Sequence, residues 1–179
     1  MTNRRIDCDS TITPAFLRLW KITLAFVSLA ALLVLNAGCG GDSSESLSVV
    51  ATAKGLHQTT VDLGPPGKSG GDVYVFDGPL LDSEEKESVG SVYGTQTSIA
   101  LDRDSETVQA MITYDFGDGD RLTIGGIGEY PRGDLGLVED RSFERPILGG
   151  TGRYAGARGT VTSVRRPDGS YEHTFEIVD

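Results

Sequence analysis

The sequence predicts an all-β domain, either closed on itself as a barrel or folded as a sandwich. Three observations predict it. From Leu47 onward the chain is a succession of short runs rich in Val, Thr, Ile, Tyr and Phe, separated by Gly, Pro and Asp. Within several runs apolar residues recur at every second position, the period of a strand with one buried face. No run after Cys39 carries an apolar stripe at helical spacing long enough to cover a sheet.

The first 38 residues have a different character. Arg4, Arg5, Arg18 and Lys21 precede the apolar run ITLAFVSLAALLVL, Ile22 to Leu35, and small residues then lead to Cys39. A basic flank, a short apolar core and small residues before a cut describe an export signal, here a signal helix within 1–38. The run falls short of the roughly 20 residues that a bilayer-spanning helix needs. Its ending, NAGC, resembles the lipobox of bacterial lipoproteins, with Asn36 in place of the pattern's leucine and Leu35 one position further back. That resemblance implies cleavage before Cys39, lipid attachment through its thiol, and a protein on the outer face of the membrane. A secreted protein with an incidental Cys39 is the alternative. The polar stretch GGDSSES that follows reads as a flexible tether, so that 39–46 links the anchor to a domain over 47–179.

Cysteine and charge narrow the function classes. Cys8 leaves with the signal and Cys39 would carry lipid, so the mature domain has no disulfide and no cysteine-based metal site. The chain has 16 basic and 26 acidic residues; the signal removes four and two of them, leaving 12 against 24. Nucleic acid needs a basic footprint and is not an expected partner.

The runs follow in order. LSVVATA and HQTTVDL are broken by Lys54 and Gly55; then come DVYVFDG, SVGSVYGTQTSIAL and TVQAMITYDF. GDGD at Gly117 to Asp120 is a hairpin signal leading into RLTIGGIG, and SFERPIL, RGTVTSVRR and YEHTFEIV complete the domain. The last two are joined by Pro167, Asp168 and Gly169, residues with turn chemistry. Alternation puts Tyr171, His173, Phe175 and Ile177 on one face, and Val108, Ala110, Ile112 and Tyr114 on another such face. DVYVFDG is apolar on both faces, which suits a strand that is covered or lies at a subunit contact.

Four blocks carry a resemblance: GDVYVFDGPL with VGSVYG, AMITYDFGDGDRLTIGG, and RPILGGTGRYAGARGTV. In sequence and spacing they are similar to the allene oxide cyclase and dirigent superfamily. The resemblance implies an eight-stranded antiparallel β-barrel with an apolar lumen, in a homodimer or homotrimer, and glycines that turn the chain at the barrel mouth. It places Tyr74 and Phe76 on the lumen wall. It also puts Gly78 where the cyclases carry an asparagine, and LSVVATA has no carboxylate, so allene oxide cyclisation itself is not expected. Dirigent proteins steer phenoxy-radical coupling, and bacterial relatives fold a polyketide for cycloaddition; both rely on holding reacting atoms in one orientation.

The expected function is therefore the binding of a small hydrophobic or aromatic molecule by Tyr74, Phe76, Tyr114, His173 and Phe175. The alternatives are a cyclase, isomerase or dirigent-like protein, whose catalytic residues the sequence does not identify, and a non-catalytic envelope scaffold with a filled interior. Cofactor and metal motifs are not found. Gly150, Gly152 and Ala155 fit G-x-G-x-x-A, but the Thr- and Val-rich run after them reads as a strand and not as the helix that holds a pyrophosphate. His57 has no visible partner, and the aspartates of YDFGDGD lack a closing glutamate for calcium; Arg145, just before Pro146, can reach the barrel mouth, with a solvated side chain as the default.

Overall fold

The computed structural model describes residues 44–132 and 136–178; the expected signal helix and Cys39 lie outside the described residues. Among the described residues nine strands form one antiparallel sheet: β1 (Ser44–Ala51), β2 (His57–Val61), β3 (Val73–Asp82), β4 (Ser88–Leu101), β5 (Ser105–Asp115), β6 (Arg121–Pro131), β7 (Ser142–Thr151), β8 (Arg158–Arg165) and β9 (Tyr171–Val178). Among the described residues the only helical piece is the 3₁₀ turn Gly152–Tyr154. β1 begins at Ser44, inside the stretch 39–46 that reads as a tether in the sequence, and Ser44 pairs with Val178.

Closure explains how nine strands make an eight-stranded barrel. β1 pairs along its length with β9, and its last residues, Val49–Ala51, pair with Leu80–Asp82 of β3. That bond row joins the two ends of the sheet. β2 lies on the same edge of β3, against Val73–Asp77, so β1 and β2 share one position in the ring. Such closure removes the exposed edge that an open sheet would present to other chains.

The two ends of the cylinder differ. At one end the turns are tight: Phe116 N–H donates to the Asp120 carbonyl at 2.9 Å around the GDGD turn. Here the half-barrel is solid, filled by Leu80, Leu122, Ile124, Tyr154, Val161, Phe175 and Ile177. Tyr154 stacks obliquely on Phe116, with ring centroids 5.4 Å apart. The glycine-rich segment turns the chain at this packed end of the barrel, between β7 and β8. A Cβ on Gly150 would lie 2.5 Å from the Tyr154 carbonyl oxygen and 2.6 Å from that of Arg121. Gly152 adopts φ +62°, which favours glycine, and the chain then enters β8 as the Thr- and Val-rich run predicts.

The opposite end carries the longer connections. Asp72 binds the segment before β3, accepting from Leu63 N–H at 3.0 Å and Ser69 N–H at 2.7 Å. Those hydrogen bonds hold its carboxyl below the usual range. Lys68 from that segment pairs with the fully buried Glu106 of β5. Of the two apolar faces of β3, one turns inward through Tyr74 and Phe76, while Val75 is exposed on the other, which β2 does not cover because it pairs beside β3 in the same sheet.

Candidate functional site

Above the solid half lies a cavity of about 330 Å³. Its size is near the lower end for small-molecule sites. Tyr114 and His173 form part of its lining, Phe76 and Val92 one apolar side, and Leu137, from the β6–β7 connection, another. Arg145, Gln96, Tyr130 and Ser163 supply polar groups. Phe76 reaches its place because Gly94 on the neighbouring strand has no side chain: a Cβ there would meet the Phe76 ring at 2.2 Å.

Of the five residues picked from sequence, Phe76, Tyr114 and His173 line this cavity. Phe175 lies beneath it, fully buried in the core and edge-on to Tyr114 at 4.9 Å. Tyr74 faces a different neighbourhood, its ring centroid 5.7 Å from the Lys68 ammonium that pairs with Glu106.

The polar groups fall into two linked sets. In the first, His173 Nδ1 lies 2.9 Å from Ser163 Oγ and 3.2 Å from the Tyr114 hydroxyl. Burial, with the Arg145 charge acting the same way, pushes the His173 pKa down to about 3, so the ring is neutral near pH 7. Burial pushes the Tyr114 phenol well above its ordinary value. In the second set Arg145 Nη2 donates to the Tyr130 hydroxyl, which also accepts from Gln96 Nε2 at 3.4 Å. The guanidinium lies 4.4 Å from the Phe143 ring centroid, a cation–π contact.

This second set is what the sequence reading missed. Arg145 is only 3% exposed, where a solvated side chain was expected. The signal was present in SFERPIL: Phe143, Arg145 and Ile147 alternate onto one face, so an arginine shares the face of two apolar residues. Likewise Gln96 follows Val92 and Gly94 inward along β4. The lumen is thus less apolar than the family resemblance implies.

A pH prediction follows from His173. Below about pH 6.5 an unfolded histidine takes up a proton that the buried ring refuses. Stability should therefore be fully present above that pH and fall as pH drops toward 3, by at most about 1.4 kcal/mol per pH unit. Depressed carboxylates such as Asp72 and Asp168 lose their contribution only below roughly pH 4. Urea midpoints between pH 7 and 4.5 should decline in the parent and stay nearly flat in His173→Gln.

The closed eight-stranded antiparallel barrel, with a cavity above its packed half, defines the class: a barrel of the cyclase and dirigent type. The chain belongs to the dirigent-like protein family, whose model matches residues 41–176. Solved structures agree on the fold. A pyocyanin demethylase is 21% identical, with a TM-score of 0.57, over 75% of this chain and 99% of its own. The Diels–Alderase from Streptomyces koyangensis is 19% identical, with a TM-score of 0.54, over 79% and 70%. A pterocarpan synthase dirigent protein is 22% identical, also at 0.54, over 76% and 84%. No curated protein matches the chain in sequence.

Proposed function

We propose that this barrel is a container for one small, largely apolar or aromatic molecule, carried by an exported protein that is lipid-anchored at Cys39. The observation that carries the reading is the cavity of about 330 Å³ standing over a fully packed floor. Apolar walls supply affinity and a few fixed polar groups supply orientation, the usual division in such sites. Purified protein exposed to a mixed cell extract, washed and denatured should release a single class of unsaturated or aromatic compound. Release of nothing from a correctly folded barrel contradicts the reading. For the anchor, NAGC supports lipidation: labelled palmitate should enter the parent but not Cys39→Ser, which should move to the soluble fraction. Equal labelling of both would overturn it.

A cyclase, isomerase or dirigent-like activity is the second reading, favoured by the Arg145, Tyr130 and Gln96 donors on the cavity lining. Such groups can stabilise charge on a carbonyl or phenol oxygen while the walls hold reacting atoms together. Turnover separates it from a pure container, as a changed product distribution from polyenes, unsaturated epoxides or phenoxy radicals. A solid scaffold is disfavoured by the cavity. Outside, Val75, Tyr93, Met111 and Leu148 are exposed on adjoining strands, and Leu148 lies over Gly125, the partner of Met111. This apolar strip supports the expected homodimer or homotrimer, which sedimentation would show as more than one barrel mass.

A further inference from the structure

We infer that the molecule held in the lumen carries a delocalised oxyanion, a carboxylate or an ionised phenol or enol, received by Arg145. The inference rests on the container reading and names the chemical class of its guest. Its ground is an imbalance of charge. Arg145 is 97% removed from solvent, yet no carboxylate among the described residues pairs with it, and its Nε has no hydrogen-bond partner. A buried guanidinium without an anion is costly, because it loses its hydration and gains no countercharge.

The neighbours do not supply one. Tyr130 and Gln96 are neutral, Phe143 offers only its ring, and His173 and Ser163 are uncharged. The Tyr130 oxygen already accepts from Arg145 and Gln96, so its own O–H points elsewhere as a donor. Arg145 and Tyr130 both line the cavity, and among the described residues neither the Arg145 Nε–H nor the remaining Tyr130 O–H meets an acceptor. An oxyanion in the cavity would bring the guanidinium its countercharge, and a hydrogen bond to a charged acceptor is roughly twice as strong as one to a neutral acceptor. The location also fits a molecule with an apolar body, since Phe76, Val92, Ile112 and Leu137 line the same cavity.

The rest of the chain argues that this is a local device. With a formal net charge of −10, the protein's surface repels anions at long range. At physiological salt that repulsion decays over about 8 Å, whereas the buried guanidinium acts at contact. An acidic protein has little reason to bury a cation that meets no carboxylate among its described residues unless the partner arrives from outside.

The test compares acid and neutral probes of equal shape on the full chain: 2-naphthoate against 2-naphthalenemethanol, and 4-nitrophenolate against 4-nitroanisole at pH 8.5, by calorimetric titration. The expected result is a preference of about tenfold or more for the charged member of at least one pair. The pair showing it identifies the oxyanion as carboxylate or phenolate. In Arg145→Gln that preference should collapse to about twofold or less, while Arg145→Lys keeps part of it. Because the comparison is made first on the unsubstituted chain, it does not depend on the folding of either variant. Equal binding of charged and neutral members, or a preference that survives Arg145→Gln, overturns the inference and leaves the container reading standing. Binding of no probe at all overturns both.

Discussion

Phe175→Ala is expected to cost about 3–5 kcal/mol, because the removed ring leaves a hole in the packed half of the barrel that its neighbours cannot fill. Phe175 is fully buried, and its ring meets Tyr114 edge-on, so both packing and an aromatic contact are lost. For a domain of this size the melting temperature should fall by about 10–20 °C. Phe76→Ala is the informative contrast. Phe76 is only partly buried and already faces empty volume, so its truncation should cost about 1–2 kcal/mol and enlarge the cavity. Equal losses from the two substitutions would mean that the barrel is packed uniformly and has no distinct floor.

Gly150→Ala should be the second large effect, about 3 kcal/mol or more. The added methyl meets two backbone carbonyl oxygens, at 2.5 and 2.6 Å, and neither belongs to a side chain that can swing away. Gly156→Ala provides the control. Gly156 has φ +90° but open space where a Cβ would go, so the cost there is conformational, about 1–2 kcal/mol. If the two variants unfold at the same denaturant concentration, the close approach at Gly150 does not govern this turn.

Local features were the ones the sequence made readable. β9 alternates as its residues dictate, the GDGD and PDG turns fall where glycine and aspartate permit them, and the block after Gly152 enters a strand. The way the ring closes could not be read. Whether β1 or β2 fills the place beside β3 depends on the competition between a distant pairing, Val49 with Asp82, and a nearer one, His57 with Asp77, and the answer is that each fills part of it. For the same reason the end of the cylinder at which the glycine block turns could not be read: its turn chemistry is local, but its distance from the cavity is not.

The candidate site shows the same division. His173 and Phe175 share a face by alternation, but only depth along the cylinder puts one against the cavity and the other in the floor. Arg145 was legible as a residue on an apolar face and illegible as a buried one, since a long side chain next to Pro146 can equally well reach water. Its contact with Tyr130 joins residues of neighbouring strands, and nothing in either run announces the other.

A crystal structure of the protein grown with 2-naphthoate tests the hollow-barrel account most directly. The account predicts one molecule between Phe76 and Tyr114, its carboxylate against Arg145 and Tyr130, with Phe175 unmoved below. A ligand seated only on the outer strip around Tyr93 and Met111, or side chains collapsed into the space above Tyr114, would contradict it.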